Sequence, residues 1–296
     1  MPRTFQIQPD SSLIEAAENA LWQSGALAIT LLDAADQPLL EPGPGEMPMW
    51  QRVTIEALLP DSLDPVELAL QMTAMGLIDS PAAAQLAELP ERDWTRAWMD
   101  RFRPMRFGNS IWVCPSHIEP DPTWPVVVRL DPGLAFGSGT HATTALCLEW
   151  LDGIDLEGRG MIDYGAGSGI LAVAAALKGA APVLAVDHDP QALLATADNA
   201  QRNAVGERVQ ALLPAELGPE PSEVVVANIL AGPLIELAAA ISARVAPGGR
   251  LALSGILAEQ ADAVRAAYAA RLEFTGQRQR EEWMLLSFVR PERAAD

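Results

Sequence analysis

One stretch of the chain, residues 161–187, constrains the fold more than any other. A short apolar run ends at Asp163 and leads into a glycine-rich loop, Gly165-Ala-Gly-Ser-Gly169, which is followed by a second apolar run. Glycines at alternate positions let the backbone turn sharply and approach a ligand closely. A strand, such a loop and then a helix are typical of open α/β sheets, which bind ligands at the carboxyl ends of their strands. The stretch therefore predicts a ligand site on an α/β domain.

The spacing of these glycines indicates the ligand. A dinucleotide-binding loop has glycines at the first, third and sixth positions. Here Gly165, Gly167 and Gly169 take the first, third and fifth positions, and Ile170 takes the sixth. With Asp163 two residues ahead, the pattern becomes D-x-G-x-G-x-G, which is typical of enzymes that use S-adenosylmethionine. A nicotinamide-dependent oxidoreductase is disfavoured for the same reason.

A second carboxylate supports this prediction. Residues 183–186 form an apolar strand-like run, and Asp187 follows directly, 18 residues after Gly169. At the tip of the neighbouring strand, its side chain can accept hydrogen bonds from both ribose hydroxyls of the cofactor. Asp189, just before Pro190, is expected to cap the next helix. We expect Asp163 either to orient the loop or to attract the ammonium group of the cofactor through water.

A polar residue closes a third apolar strand, where Asn228 follows residues 224–227. Methyltransferases that act on nitrogen commonly hold an asparagine here, followed by a backbone carbonyl, so that two acceptors bind the target amine and aim its lone pair at the methyl carbon. The alternative is an asparagine that caps the following helix, and one side chain can serve both roles. A nucleic-acid adenine methyltransferase usually carries Asn-Pro-Pro-aromatic, whereas this chain has Asn-Ile-Leu-Ala. A non-catalytic binding module is disfavoured because Gly165, Asp187 and Asn228 are all present.

The order of elements predicts two domains. From about residue 107, strand-like and helical segments alternate, which favours a doubly wound parallel sheet. The segment 274–289 has two strand-like runs without a helix between them, which predicts an antiparallel hairpin. Together these features predict an α/β fold, a Rossmann-like seven-stranded class I methyltransferase domain, at residues 104–296. Residues 1–90 follow the strand–helix–strand–strand–helix–strand order of a small α+β ferredoxin-like domain. Residues 91–103 predict a charged linker helix.

Composition narrows the partners and the compartment. A net charge of −19 repels nucleic-acid phosphates and favours either a basic partner or solubility alone. The two cysteines, Cys114 and Cys147, form no CxxC or Cys/His cluster, so we expect no metal site and a reducing compartment. No run of about 18 apolar residues and no apolar signal segment near residues 1–10 are visible. We therefore expect a cytoplasmic protein without membrane or direct nucleic-acid contacts.

Over nearly its whole length the sequence resembles the ribosomal protein L11 methyltransferases, the PrmA family. The most specific match is residues 130–151, LDPGLAFGSGTHATTALCLEWL. Further matching segments are 41–46, 93–100, 104–108, 226–233, 253–257 and 281–283. The departures are small: Ala142 stands where the family often has proline, Ser138 where it has threonine, and Ala166 where it has cysteine.

The resemblance implies a function for both domains. It implies that Thr144, Gly165, Asp187 and Asn228 bind S-adenosylmethionine, and that the N-terminal domain recognises ribosomal protein L11 while a flexible linker lets the domains reorient. It also implies methylation of lysine side chains and of the N-terminal α-amine of that protein. We expect the enzyme to be a monomer. The full predicted cofactor site is Thr144, Asp163, Gly165, Gly167, Gly169, Asp187 and Asn228.

Three further side chains are candidates for the site, and each has a structural alternative. Phe136 is either a wall of the channel for the target amine or an ordinary core aromatic. His141 is either a base or a structural hydrogen-bonding residue, and the second interpretation is favoured. Trp283 either lines the pocket or packs in the core.

Overall fold

The structure is a computed structural model, and it describes residues 3–35, 50–88, 102–131 and 141–292. The chain divides into two compact units, residues 1–97 and 98–296. Several predictions fall outside the described residues: the loop at 41–46, Phe136, Ser138 and most of the predicted linker helix. The last two residues of that linker, Phe102 and Arg103, are not helical.

The first unit has the predicted ferredoxin-like order. Its elements are β1 (Arg3–Ile7), α1 (Ile14–Gln23), β2 (Ala28–Asp33), β3 (Val53–Leu59), α2 (Pro65–Ala74) and β4 (Gln85–Glu88). The strands lie in the order β2-β3-β1-β4, and all neighbouring strands are antiparallel. Phe5 of β1, Leu21 of α1 and Met72 of α2 are fully buried and belong to one core. Asp64 caps α2 by accepting from the Val66 amide at 2.9 Å, and Pro65 has the backbone angle that a first helical turn needs.

The second unit begins with a small sheet. Its strands are β5 (Met105–Phe107), β6 (Ile111–Cys114) and β7 (Val126–Arg129), with β5 antiparallel and β7 parallel to β6. Helix α3 (Ala142–Asp152) follows. Asp152, at the end of α3, accepts hydrogen bonds from the Asn109 and Ser110 amides, at 2.6 and 3.1 Å. The small sheet is thereby attached to the helix.

The main sheet has seven strands in the order β10-β9-β8-β11-β12-β14-β13. The strands are β8 (Met161–Tyr164), β9 (Val183–Val186), β10 (Val209–Leu212), β11 (Ser222–Asn228), β12 (Val245–Leu257), β13 (Glu273–Arg280) and β14 (Trp283–Val289). Strands β8 to β12 pair in parallel, whereas β14 is antiparallel to both of its neighbours. The parallel sheet and its antiparallel terminal hairpin are both as predicted.

Helices cover both faces of this sheet, and each face has its own core. They are α3, α4 (Ile170–Leu177), α5 (Pro190–Arg202), α6 (Ala231–Glu236), α7 (Ala238–Ala243) and α8 (Ala261–Tyr268). Helix α4 is apolar on all sides, ILAVAAAL, and its first seven residues are buried, as expected for a helix in the centre of a domain. Each large aliphatic side chain in these cores stabilises the fold by about 1.5–3 kcal/mol. Among the described residues, no helix has the length and apolar character needed to cross a membrane.

Strand β12 is longer than the sequence predicts. The pattern predicts a strand only at 250–253 and a helix at 234–245, but β12 covers Val245–Leu257 and the helical region is split into α6 and α7. The register against β11 shifts between Ser222 and Val224, so that residues 246–249 bulge out of the ladder. This bulge contains Pro247, Gly248 and Gly249. Proline and glycine are poor strand formers, so the sequence pattern does not predict a strand here.

Candidate functional site

The glycine loop connects β8 to α4 at the carboxyl edge of the sheet. Gly165, Gly167 and Gly169 have φ angles of +79°, +56° and +75°, a backbone region in which side chains are disfavoured. The Gly165 and Ala166 amides donate to the Val186 carbonyl at 2.7 and 3.1 Å, which joins the loop to β9. A Cβ at Gly169 would lie 2.8 Å from the Thr196 side chain. Glycine is therefore required here by both conformation and space.

Helix α5 supports the loop through buried polar side chains that no sequence motif indicates. The Thr196 hydroxyl donates to the Gly167 carbonyl at 3.2 Å, and the Asn199 amide donates to the Ser168 carbonyl at 2.8 Å. One turn further on, the Asn203 side chain accepts from the Arg129 amide at 2.7 Å and donates to the Arg129 carbonyl at 2.9 Å. In the sequence these are three polar residues at helical spacing, and nothing local marks the distant carbonyls that they bind.

Asp187 lies at the end of β9 and its side chain faces the glycine loop. It is 8% exposed. One carboxylate oxygen accepts from the Gly167 amide at 2.9 Å and the other accepts from the Asp189 amide at 3.0 Å. A carboxylate has about four lone-pair sites, so each oxygen keeps acceptor capacity for a ribose hydroxyl. Asp189 caps α5 by accepting from the Gln191 amide at 2.9 Å, as predicted.

Asp163 is the last but one residue of β8 and is completely buried. Its Oδ2 accepts from the Ala172 amide in the first turn of α4 at 3.1 Å, whereas its Oδ1 is buried without a hydrogen-bond partner. Burial raises the pKa of the Asp163 carboxyl to about 7, and the charge of Asp187 contributes to the rise, while the Ala172 hydrogen bond opposes it. The Ala172 contact fits a role in orienting the loop. The unpartnered oxygen fits an interaction with a cationic group or water.

Replacing Asp163 with asparagine is expected to change how stability depends on pH. The pKa of an aspartate in the unfolded chain is about 3.9. Because the folded pKa is raised, the contribution of Asp163 to stability is fully present below about pH 4 and is lost as the pH rises towards 7. Asparagine does not ionise, so the variant should gain roughly 4 kcal/mol on the wild type between pH 4 and pH 8. Urea denaturation across this range measures the difference, with the exposed Asp198→Asn as control. If the free energies of unfolding of the wild type and of Asp163→Asn change in parallel with pH, the raised pKa of Asp163 is wrong.

Asn228 ends β11 at the same edge of the sheet. Its Nδ2 donates to the Thr144 hydroxyl at 3.4 Å, and Thr144 is buried in the first turn of α3. With Nδ2 turned towards Thr144, the Oδ1 of Asn228 is the atom left to accept a hydrogen bond from a substrate. The alternative role as a helix cap is wrong, because α6 begins later, with Leu230 at its N-cap and no side-chain cap.

His141 and Trp283 make structural contacts. His141 caps α3: its Nδ1 accepts from the Thr143 amide at 3.3 Å and lies 2.8 Å from the Thr143 hydroxyl. Nδ1, one of the two ring nitrogens, is thus directed at the helix. Trp283 is 8% exposed and packs edge-on against the His141 ring, with 5.1 Å between ring centroids. These contacts agree with the structural alternatives for both residues.

The polar groups of the site converge because β8, β9 and β11 are parallel and end at one edge. The end of β8 contains Asp163, β9 is followed directly by Asp187, and β11 ends at Asn228. The glycine loop follows β8 and is hydrogen-bonded to β9. The glycine loop lets the backbone approach a ligand closely, Asp187 can accept from ribose hydroxyls, and the buried carboxylate of Asp163 suits a cationic group. These three properties match S-adenosylmethionine. Among the described residues, no cluster of three or more His, Cys, Asp or Glu is suited to a metal ion.

Comparison with known proteins agrees with this architecture. The family model described as ribosomal protein L11 methyltransferase (PrmA) matches residues 2–291. The ribosomal protein L11 methyltransferase of Methylococcus capsulatus is 48% identical over 293 residues, covering 98% of this chain and 99% of the relative. The protein of the same name from Pseudomonas aeruginosa is 50% identical over 275 residues, covering 92% and 93%.

A solved structure also matches this fold. The crystal structure of a ribosomal protein L11 methylase from Lactobacillus delbrueckii subsp. bulgaricus superposes with a TM-score of 0.59 at 28% identity. The match covers 64% of this chain and all of the other. With a family match over nearly the full length, a class I fold and a glycine loop of the predicted spacing, the chain belongs to the ribosomal protein L11 methyltransferase (PrmA) family and is an S-adenosylmethionine-dependent methyltransferase.

Proposed function

We propose that this enzyme transfers methyl groups to amino groups of ribosomal protein L11, at lysine side chains and at the N-terminal α-amine. The observation that carries the nitrogen chemistry is the Asn228 amide, which Thr144 holds at the edge where the cofactor loop ends. The substrate itself is inferred from the names of the relatives, which are similar over their full length.

The proposed cofactor contacts follow from the contacts of the loop. Asp187 is oriented by the Gly167 and Asp189 amides and would accept the ribose hydroxyls with its remaining lone pairs. Asp163 would attract the ammonium group through its unpartnered oxygen. Gly165, Gly167 and Gly169 let the backbone approach the cofactor, and Thr144 would contribute by holding Asn228.

The residues of the chain act mainly by orientation. Bound S-adenosylmethionine supplies a methyl carbon on a positively charged sulfur, which is already a good leaving group. The protein has to hold the attacking nitrogen in line with that carbon, and such positioning alone can account for several kcal/mol of the barrier. We assign this task to the Asn228 Oδ1 and to the neighbouring backbone carbonyl of Ile229, as acceptors for the amine hydrogens.

The target amine must lose a proton before it attacks. A lysine amine has a reference pKa of about 10.4 and an α-amine about 7.7–8.0. A desolvated site lowers the pKa of an amine, and a neighbouring positive charge lowers it further. The proton can therefore pass to water without a dedicated base, in agreement with the capping role of His141 Nδ1.

Charge supports a basic protein substrate and a role for the N-terminal unit in recognising it. Residues 1–97 contain 15 Asp and Glu against 4 Arg, which gives this third of the chain a net charge of −11. Such a surface attracts a basic protein and speeds its association. The same unit exposes large apolar side chains, among them Trp22, Val66 and Leu70. We propose that this unit, with residues 1–90 as its domain and 91–103 as the linker, binds the substrate.

The proposal is tested by intact-mass measurement of ribosomal protein L11 after incubation with the enzyme and S-adenosylmethionine, followed by peptide mapping. We expect methyl increments on lysines and on the α-amine, and about 100-fold slower methylation with the Asn228→Ala variant. Methyl groups found only on other atoms, or no transfer at all, would contradict the proposal. The expected monomeric state, cytoplasmic location and lack of direct nucleic-acid contact remain part of the proposal.

A further inference from the structure

Ile229, the residue after Asn228, is enclosed by two glycines from different elements. On one side, a Cβ at Gly165 of the cofactor loop would collide with the Ile229 Cγ2. On the other side, a Cβ at Gly255 of β12 would collide with the Ile229 carbonyl oxygen and lie 2.7 Å from its carbon and 3.2 Å from its nitrogen. The Ile229 peptide therefore lies against the main chain of β12, while its side chain lies against the loop.

The approach on the β12 side is made by a β-bulge. The pairing of β12 with β14 shifts register between Ser254 and Ile256, which leaves Gly255 as the extra residue. Gly255 has a φ of +85°, the left-handed conformation that glycine commonly adopts in such bulges. Both its backbone angle and the absence of a side chain are therefore needed for the close approach.

The bulge is fixed on its far side by the core of the sheet. Ser254 is the last residue of β12 in register with β11, and its partner is Asn228. The Ser254 side chain is completely buried, and its hydroxyl donates to the Met284 carbonyl of β14 at 3.0 Å. The next residue on each strand, Gly255 and Ile229, makes the contact described above. The position of Asn228 is thus tied to the centre of the sheet through β12.

We propose that Gly255 is a positioning residue for methyl transfer. By lacking a side chain, it lets β12 lie against the Ile229 peptide and so sets the direction of the adjacent Asn228 amide. This inference rests on the proposed role of Asn228 and adds a residue that the cofactor motif does not include. Gly255 would thus affect how the Asn228 amide orients the target amine and would leave the cofactor site intact.

The Gly255→Ala variant tests the inference. The new methyl group would have to push the Ile229 carbonyl away by about 1 Å, and a displacement of that size can lower a rate by about 100-fold. We expect kcat for L11 methylation to fall by about 10- to 100-fold. Calorimetry measures the Kd for S-adenosylmethionine and for its demethylated product. We expect both values to stay within about 3-fold of the wild type, which corresponds to less than about 1 kcal/mol.

Gly248→Ala is the matched control. Gly248 lies in the same strand with a similar φ of +75°, but an added Cβ would meet only the Glu292 side chain, at 3.2 Å from Oε1. It therefore carries the same backbone cost without touching the Ile229 peptide. We expect Gly255→Ala to lose more thermal stability than Gly248→Ala, because its Cβ meets backbone atoms rather than a flexible side chain, and we expect only Gly255→Ala to lose turnover.

Two results would overturn the inference: a Gly255→Ala variant with kcat within 3-fold of the control, or one whose cofactor affinity falls as much as its kcat. If Gly255→Ala does not fold, Ser254→Ala carries the test. It removes the hydroxyl that fixes the bulge to β14, and it should lower kcat several-fold at unchanged cofactor Kd, so an unchanged kcat would overturn the inference. If the wild type itself methylates no amine of L11, the proposed function fails, which is a different result.

Discussion

An Asp187→Ala variant is expected to bind S-adenosylmethionine about 100-fold more weakly than the wild type. A hydrogen bond to a charged group contributes about 1.5–3 kcal/mol, so the loss of two ribose hydrogen bonds costs about 3 kcal/mol or more. The substitution also removes the acceptor of the Gly167 amide, which leaves the loop less well fixed. Both effects act on the cofactor, and isothermal calorimetry with S-adenosylmethionine measures their sum.

The neighbouring Asp189 provides the control for this experiment. Asp189→Ala removes a carboxylate two residues away and the cap of α5, which costs about 1 kcal/mol of stability. Because Asp189 points into its own helix, we expect cofactor affinity to stay within a few-fold of the wild type. If Asp187→Ala binds the cofactor as tightly as Asp189→Ala does, the ribose is held by other groups and the assignment of Asp187 is wrong.

The second large effect is expected from Asn228→Ala, in the turnover number. The nitrogen gains positive charge as it attacks, so the hydrogen bond to Asn228 Oδ1 is stronger in the transition state than with the free amine. A loss of 2–3 kcal/mol in the transition state corresponds to a decrease in kcat of about 100-fold. Initial rates of methyl transfer to L11, with cofactor Kd measured in parallel, separate this effect from cofactor binding.

Thr144→Val serves as the comparison for Asn228→Ala. It keeps the shape of the Thr144 side chain and removes the hydroxyl that accepts from Asn228 Nδ2. We expect a smaller decrease in kcat, about 10-fold, because Asn228 Oδ1 remains as the acceptor for the amine but its direction is less well defined. A cofactor Kd that rises as steeply as kcat falls in Asn228→Ala would place that side chain in the cofactor site alone. Equal kcat values for Asn228→Ala and the wild type would remove Asn228 from the mechanism.

Local patterns were sufficient to predict the elements that create the cofactor site. The spacing of Gly165, Gly167 and Gly169 and the apolar run before Asp187 depend on neighbours within a few residues, and the structure places them as expected. The parallel sheet and its terminal hairpin follow from the same short-range alternation. The choice between capping and a site role for Asn228 needed the structure, since it depends on where α6 begins.

Interactions between distant segments could not be predicted in the same way. Thr196, Asn199 and Asn203 look like ordinary polar positions of a surface helix until the carbonyls they bind, in the loop and in β7, are brought next to α5. The bulge at Gly255 exists only in the register between β12 and β14, which no single segment encodes. Long-range pairing, rather than local preference, decides both features.

The polar ladder on α5 also bears on how this domain can be redesigned. The Asn203 side chain holds the end of β7, and Asn199 and Thr196 hold the loop, so one helix face links two stretches that are far apart in sequence. A chimera that transplants the glycine loop into another scaffold would carry its sequence without its support. The smallest portable module is therefore β8, the loop, α4, β9 and α5 together, and a library that varies the loop should keep Thr196 and Asn199 constant.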